Sequence, residues 1–375
     1  MDNPFILKPY GGKNLFCDRE QECRTIVDYL LNGSNVTLIS PRRYGKTGLI
    51  YRVLDELNQS HPGIISFYVD IYSCNNLDDF IAKLSTAIIN SAPKESFTQK
   101  FINAIKGVRP IMRFDALSGA PEISITYLAQ TEKQETLKSI FDYLSSLKKP
   151  IVIAIDEFQQ IRNFPEPNME AILRSHIQML PNIRFIFSGS QKHIMSEMFT
   201  YEKSPFYEST RCIHLEKIDR GIYGEFIRKL FGKDKRILTD EALEFILDWT
   251  RVHTHYTQVL CNVLFSMNFR KIGIEEVYEG ALKILREGAA DFMDRRSLVT
   301  PAQWNFLTAV AKEESVSKPT AAKFLVKYNI GQPANSRRIL QALLDKELLL
   351  ETTTLDGKHY SVYNVFLSRW LERLN

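Results

Sequence analysis

Two spacings of apolar residues alternate along the first 215 residues of the chain. Short apolar runs, long enough for buried strands and too short for helices, occur at 36–39, 64–72, 151–155 and 183–188. Helical spacing of apolar residues lies between these runs, at 49–57, 77–89, 133–147 and 169–179. Because the strands are apolar on both faces, we predict the α/β class, with a parallel sheet covered by helices on both faces.

The strand signal ends near residue 216, and helical patterns follow at 220–231, 240–249, 254–268 and 274–290. Three short helical patterns then precede two β-rich runs around Asp356-Gly357, and Asp-Gly between such runs is typical of a hairpin. Three helices and a hairpin are the outline of a winged helix. We therefore predict an α/β domain over 1–215, a helical lid over 216–295 and a winged helix over 296–375.

Residues 93–132 interrupt the alternation of strands and helices, and we interpret them as an insertion in the first domain. Within it, β-rich runs at 111–114 and 122–126 flank Ser118-Gly119, which predicts a hairpin. The insertion offers a contact surface for a protein partner, but nothing in its sequence identifies that partner.

Composition adds little to this picture. The 48 Lys and Arg residues against 44 Asp and Glu give a net charge of +4, which permits a nucleic-acid partner without requiring one. The cysteines are odd in number and contain no CxxC pair, which argues against a disulfide framework or a zinc site and is typical of a reducing cytoplasm. We see neither a membrane-length apolar window nor a secretory signal, so we expect a cytoplasmic protein without membrane contact.

Candidate chemistry begins at residues 40–47, which read SPRRYGKT and match the phosphate-binding loop G-x-x-x-x-G-K-[ST] except for Ser40 at its first position. Gly45 permits close approach of the backbone, Lys46 can reach the β- and γ-phosphates, and the Thr47 hydroxyl can bind Mg²⁺. A chance Gly-Lys-Thr in a basic loop is the alternative, but the segment lies between a predicted strand and a predicted helix, as the motif requires. The expected nucleotide contacts in this loop are Pro41, Arg42, Arg43, Tyr44, Gly45, Lys46, Thr47 and Gly48.

Two carboxylates follow the most apolar predicted strand, in the sequence IVIAIDE at 151–157. The functional interpretation is that Asp156 holds Mg²⁺ through water and that Glu157 orients and deprotonates the attacking water. An ordinary strand end that enters a solvated loop is the alternative. Ser188-Gly189-Ser190 follows the next predicted strand, and a polar side chain there, Ser188 in particular, could sense the γ-phosphate, although serines at strand ends are common.

Four segments together resemble a known family. The family is that of the archaeal-type ATPases, which are related to the AAA+ and STAND superfamilies. The resemblance lies in an entry segment (FCDREQE at 16–22), a phosphate loop (SPRRYGKTGL at 40–49), an acidic strand (IDEFQ at 155–159) and a sensor strand (FSGSQ at 187–191). The resemblance spans residues 14–215. It implies binding of ATP or ADP with Mg²⁺, a first segment that packs near the adenine, and a nucleotide-driven switch that moves the lid and the winged helix.

The resemblance extends to the lid, where TRVHTHYTQVLCN at 250–262 is similar to the family's G-H-P-Y-Y turn, with Thr254 in place of its proline. It implies nucleotide contacts for His253 and Tyr256, whereas packing of a helix start within the lid is the structural alternative. Arg211 is either an arginine that supplies charge to a neighbouring subunit's nucleotide or a surface or salt-bridged residue.

In the predicted winged helix, Arg337 and Arg338 lie on the polar face of the helix near 335–347, as a DNA recognition helix would place them. Lys358 in the wing could contact phosphate. From residue 298 onward ten basic residues face seven acidic ones, which is a mild excess for a DNA-binding domain. DNA and protein therefore both remain open as partners of this domain.

These observations favour an ATPase in which hydrolysis, with Glu157 and Lys46 as the catalytic residues, drives movement of the lid and winged helix. An ATP-gated DNA-binding regulator and a scaffold that holds nucleotide without hydrolysing it are the alternatives.

Overall fold

The computed structural model describes residues 3–91, 95–105, 108–114, 121–127 and 133–374. It divides the chain into two compact units. One runs from Lys8 to Lys217, and the other joins the start of the chain, through Leu7, to everything from Ile218 onward. The second unit contains both the predicted lid and the predicted winged helix, and the boundary near 295 between those two domains stays a prediction.

A five-stranded parallel sheet forms the centre of the first unit, with strand order β2-β5-β6-β1-β7. The strands of this unit, including a separate antiparallel hairpin, are β1 (Val36–Ile39), β2 (Ile65–Asp70), β3 (Val108–Phe114), β4 (Pro121–Tyr127), β5 (Ile151–Asp156), β6 (Ile183–Gly189) and β7 (Arg211–His214). The parallel sheet confirms the predicted α/β class. Strand β7 was not predicted, because this four-residue edge strand has exposed ends and therefore no long apolar run.

Helices cover both faces of this sheet, as predicted. They are α1 (Glu20–Leu31), α2 (Lys46–Ser60), α3 (Leu77–Asn90), α4 (Glu95–Ala104), α5 (Lys133–Ser146), α6 (Met169–Gln178) and α7 (Lys192–Thr200). Alternate residues of β5 enter two different hydrophobic clusters. Ile153 and Ile155 pack with Phe80 of α3, while Val152 and Ala154 pack with Val53 of α2. Because β5 is an interior strand that is buried on both faces, it needs apolar residues at every position, which explains the continuous apolar run in the sequence.

The predicted hairpin within the insertion is present. Strands β3 and β4 pair antiparallel from Val108 opposite Tyr127 to Phe114 opposite Pro121. Ser118-Gly119, the predicted turn, lies outside the described residues.

The second unit is mainly helical. Its helices are α8 (Arg220–Gly232), α9 (Asp240–Trp249), α10 (Thr254–Ser266), α11 (Ile274–Glu287), α12 (Ala289–Ser297), α13 (Pro301–Lys312), α14 (Ala322–Tyr328), α15 (Pro333–Asp345) and α16 (Val365–Leu371), and its strands are β8 (Ile237–Leu238), β9 (Lys271–Ile272), β10 (Leu349–Thr354) and β11 (Gly357–Val362). The expectation that the lid lacks strands was wrong, because β8 and β9 form a two-residue parallel pair. A pair this short leaves no periodicity in the sequence.

The predicted wing hairpin is confirmed, with its turn one residue earlier than the Asp-Gly signal suggested. Thr354 pairs with Gly357, so Leu355 and Asp356 form the connection. Gly357 begins β11 with φ of 112°, a conformation that glycine adopts without a steric cost.

The last helix of the chain joins the winged helix to the lid. Arg369 of α16 donates to the carbonyl oxygens of Trp249 (2.9 Å) and Asp248 (3.1 Å), at the carboxyl end of α9. Arg251 donates to Ser368 Oγ (2.9 Å) and forms an ion pair with Glu372 (3.1 Å). A cation at a helix carboxyl terminus satisfies orphan carbonyls and interacts favourably with the helix dipole, so these contacts fix α16 on the lid.

Over the stretches that the structure describes, no helix has both the length and the apolar character needed to cross a bilayer.

Candidate functional site

The loop between β1 and α2 has the backbone that a phosphate-binding loop requires. Gly45, directly before α2, has φ of 96°, and Arg43 has φ of 66°. Ser40, which replaces the first glycine of the motif, is buried and does not adopt a positive φ, so a side chain is tolerated there. The loop therefore leads directly into the amino terminus of α2, where free N–H groups and the helix dipole favour an anion.

Lys46 is the first residue of α2 and is only 5% exposed. Its Nζ donates to the carbonyl oxygens of Ser40 (2.9 Å) and Pro41 (3.0 Å). Burial lowers the pKa of Lys46, and the nearby carboxylates of Glu157 and Asp156 oppose that change. An incoming phosphate would stabilise the charged amine more strongly than the two carbonyl groups do.

Thr47 and Asp156 meet although 109 positions separate them in the sequence. The Thr47 hydroxyl donates to Asp156 Oδ2 at 2.7 Å. The Tyr68 hydroxyl, from β2, donates to the same oxygen at 3.0 Å. Burial and the charge of Asp156 raise the pKa of Tyr68, so its phenol remains a protonated donor. Tyr68 and Asp156 come together because β2 and β5 are neighbouring parallel strands whose carboxyl ends coincide, and Thr47 reaches them from the first turn of α2.

Glu157 follows β5 immediately and has φ of 56°, an uncommon conformation for a residue with a side chain. Its N–H donates to Asp156 Oδ1 at 3.0 Å. Its carboxylate accepts hydrogen bonds from Gln159 and Ser190. Non-glycine residues in this region often mark functional sites, where the surrounding structure maintains the strain.

The entry segment packs against the start of α2. A Cβ atom on Gly48 would lie 2.7 Å from the Pro9 carbonyl oxygen and 2.9 Å from the Phe16 ring, so only glycine permits this approach. Arg19 forms an ion pair with Glu22 at 2.6 Å and also donates to the Glu216 carbonyl oxygen. The three residues of the F-x-x-R-x-x-E segment thus hold the entry segment in place.

Other residues of the loop occupy distinct environments. Tyr44 is buried, and burial together with the charge of Glu216 raises its pKa to about 12. Arg42 donates from Nε to Ser190 Oγ, and Arg43 is exposed. Asp70, at the carboxyl end of β2, has a raised pKa, chiefly from burial, with a further contribution from Asp156 and Glu157.

Ser188 lies at the carboxyl end of β6 and is fully buried. Its hydroxyl has no hydrogen-bond partner among the residues that the structure describes. A buried hydroxyl without a partner is costly, so this position is compatible with the proposed contact to a ligand.

The remaining predicted residues lie far from the phosphate loop in the sequence. His253 and Tyr256, in the second unit, are buried at the start of α10 with their rings 4.5 Å apart. Arg211 is exposed at the beginning of edge strand β7.

On the winged helix, Arg337 and Arg338 are exposed on α15. Lys358 does not extend freely from the wing, because it forms an ion pair with Glu351 on the facing strand at 2.8 Å. The interpretation of Lys358 as a phosphate contact would therefore require that pair to open.

The donor set suits Mg²⁺. A hydroxyl and a carboxylate oxygen 2.7 Å apart, Thr47 Oγ1 and Asp156 Oδ2, are hard oxygen ligands of the kind that Mg²⁺ prefers. Within the described part of the chain, no cluster of three His, Cys, Asp or Glu residues could hold a metal by itself. Mg²⁺ in nucleotide sites takes one or two protein ligands and completes its shell with phosphate oxygens and water, so two ligands suffice.

Three further residues donate hydrogen bonds to these carboxylates. Tyr68 and Gln159 were not predicted as site residues, and Ser190 was predicted only as part of the segment Ser188-Gly189-Ser190. Gln159 and Ser190 lie inside the segments IDEFQ and FSGSQ, so their positions were available as a signal. For Tyr68 the only available signal was its position on a predicted strand, two residues before Asp70.

Comparison with known proteins agrees with this fold. The Walker-type ATPase paby2304 of Pyrococcus abyssi superposes with a TM-score of 0.68 at 18% identity, covering 98% of this chain and 99% of that one. The ORC2 protein of Aeropyrum pernix, in ADPNP-ADP complexes, superposes with a TM-score of 0.58 at 15% identity, covering 94% and 90%. Cdc6p of Pyrobaculum aerophilum gives 0.50 at 11% identity, covering 99% and 98%. Comparison with curated proteins gave no match.

The fold and loop define a P-loop ATPase followed by a winged helix. Residues 16–253 match the family described as the ATPase domain predominantly from Archaea, and residues 290–373 match a probable winged helix domain. The chain belongs to this archaeal-type ATPase family, as its sequence motifs predicted.

Proposed function

We propose that this protein is an Mg²⁺-dependent ATPase that acts as a nucleotide-dependent switch. The supporting observation is the meeting of Thr47 and Asp156 at 2.7 Å, beside the buried amine of Lys46 and the carboxylate of Glu157. Four chemically complementary groups from two distant segments adjoin the amino terminus of α2, where a triphosphate would be stabilised.

Each of these residues has a role in the proposed reaction. Lys46 and the backbone N–H groups of residues 42–48 would bind the phosphates, while Thr47 and Asp156 would hold Mg²⁺, which would neutralise charge on the phosphate oxygens. Glu157 takes a proton from water as the water oxygen bonds to the γ-phosphorus. The bond from that phosphorus to the β–γ bridging oxygen breaks, and its electron pair leaves with ADP.

The output of the switch is proposed to involve the second unit as one body. The contacts of Arg369 and Arg251 join α16 to the end of α9, so movement of the lid would be transmitted to the winged helix. His253 is the N-cap residue of α10 and lies two residues after Arg251. A nucleotide contact at His253 would therefore act on the segment that also supports the last helix.

The test of hydrolysis is Glu157→Gln, which keeps the size of the side chain and removes its basicity. We expect unchanged ATP binding and a fall in kcat of roughly 10²- to 10⁴-fold. Glu202→Gln, at an exposed position, is the matched control and should behave like the parent. Equal turnover by Glu157→Gln and the parent would remove Glu157 from the mechanism, and tight ADP without any turnover by the parent would favour the non-hydrolysing scaffold.

A second candidate is an ATP-gated DNA-binding regulator. Arg337 and Arg338 are exposed on α15, the helix that a winged helix would present to a major groove. Replacing both with alanine should weaken duplex binding and make its salt dependence less steep by about one to two phosphate contacts. No duplex binding by the parent at low salt, with or without ATP, would exclude this candidate and leave a protein as the partner of the winged helix.

A further inference from the structure

The carboxylate of Glu157 is held through one of its two oxygens. Gln159 Nε2 donates to Oε2 at 2.5 Å, and Ser190 Oγ donates to the same oxygen at 2.7 Å. Within the described residues, Oε1 receives no hydrogen bond. Two donors on one oxygen fix the plane of the carboxylate and leave the other oxygen able to accept a proton.

Ser190 also connects Glu157 to the phosphate loop. Arg42 Nε donates to Ser190 Oγ at 3.2 Å, while the serine hydroxyl donates its own proton to Glu157. A hydroxyl has one proton and two lone pairs, so it can accept from arginine and donate to a carboxylate at once. Arg42 is the third residue of the SPRRYGKT loop, and the hydrogen-bonded path therefore runs from the phosphate loop to the candidate base.

The arrangement of Gln159 and Ser190 around Glu157 requires a glycine at position 189. A Cβ atom on Gly189 would lie 2.3 Å from Gln159 Oε1 and 2.4 Å from Met195 Sδ. Gln159 is 5% exposed and Ser190 is 6% exposed, so both donors lie in a dry environment. Gln159 Oε1 is buried with no hydrogen-bond partner among the described residues, a cost that the bond from Nε2 to Glu157 offsets.

We propose that Arg42, Ser190 and Gln159 are positioning residues for Glu157. Gln159 and Ser190 orient the carboxylate so that Oε1 faces the attacking water, and Arg42 makes this orientation depend on what occupies the phosphate loop. A γ-phosphate competes with Ser190 for the guanidinium, so binding of ATP rather than ADP changes the hydrogen bonding of Glu157. This inference rests on the proposed ATPase function and adds the device that regulates its base.

The primary test is Ser190→Ala, measured as steady-state ATP hydrolysis. We expect kcat to fall roughly tenfold, the loss of one hydrogen bond to a charged group, with KM for ATP nearly unchanged. Ser190→Thr keeps the hydroxyl and should restore most of kcat. Ser175→Ala, an exposed serine on α6, is the matched control and should match the parent.

A double-mutant cycle separates positioning from a general structural effect. In the Glu157→Gln background, Ser190→Ala should cause no further loss in single-turnover rate, because the group that it positions is already disabled. Arg42→Gln should likewise lose its effect on kcat when Ser190 is already alanine. If Ser190→Ala proves unfolded by circular dichroism, Gln159→Leu removes the other donor at similar volume and should show the same fall in kcat.

The outcomes are distinguishable from failure of the function itself. No turnover by the parent overturns the ATPase proposal and this one together. Turnover by the parent with full activity of folded Ser190→Ala and Gln159→Leu overturns only the positioning proposal. Losses that add fully to that of Glu157→Gln also overturn it, because they show that these residues act independently of the base.

Discussion

Replacing Lys46 with alanine tests the site through the stability of the protein. ATP with Mg²⁺ at 100 times its Kd should stabilise the native parent by about 2.7 kcal/mol. For a folding unit of this size, such a gain raises the melting temperature by roughly 5 to 10 °C. Lys46 is only 5% exposed, so its amine would be a desolvated partner of the phosphates, and loss of one member of such a pair costs about 2 to 5 kcal/mol.

A loss of about 2 kcal/mol weakens Kd roughly 30-fold, so the stabilisation at the same ATP concentration falls below about 1 kcal/mol. A larger loss removes it almost completely. The assay is a thermal melt with and without ATP and Mg²⁺, and Lys203→Ala, on an exposed turn, is the control that should keep the full shift. An undiminished shift in folded Lys46→Ala would refute the assignment of the phosphates to this loop.

Three further outcomes follow from the geometry. Burial lowers the pKa of Lys46 in the nucleotide-free protein, and bound phosphate favours the charged amine. ATP affinity should therefore fall with rising pH already below the ordinary lysine pKa of 10.5. Lys46→Arg, which stays charged, should lose this pH dependence. Tyr68→Phe removes a donor from Asp156 and should raise the Mg²⁺ concentration for half-maximal ATPase activity about tenfold, whereas no change would deny Tyr68 any role at the metal. Arg369→Met should destabilise the second unit by about 2 kcal/mol in urea unfolding, because it leaves the carbonyl groups at the end of α9 unpaired. Arg286→Ala, at an exposed position on α11, should cost under about 0.5 kcal/mol.

The contacts of α16 also bear on how a nucleotide signal would travel. Arg251 has φ of 56° and Val252 has φ of 51°, and a positive φ is rare for a β-branched residue such as valine. This turn connects α9 to α10 and also holds Glu372 of the winged helix through Arg251. Strain of this kind persists only where surrounding contacts maintain it, and here the last segment of the chain supplies one of them.

Local pattern determined most of the architecture from sequence. The run IVIAI, the spacing of apolar residues after Lys46 and the Asp356-Gly357 signal each depend on a few neighbouring residues, and the structure confirms the strand, the helix and the hairpin that they predicted. The phosphate loop was recognisable because its chemistry lies in eight consecutive residues. Edge strand β7 and the β8–β9 pair were not predicted, because strands of two to four residues are too short to show a periodic pattern in the sequence.

Tertiary structure alone decided which side chains donate hydrogen bonds to the same carboxylate oxygen. That Tyr68 and Thr47 both donate to Asp156 Oδ2, and that Gln159 and Ser190 both donate to Glu157 Oε2, depends on the order in which parallel strands lie side by side. Strand order is set by the packing of two hydrophobic clusters on opposite faces of the sheet, a non-local property that no single segment encodes. The sequence therefore determined the kind of site, and the fold determined which groups hold its carboxylates.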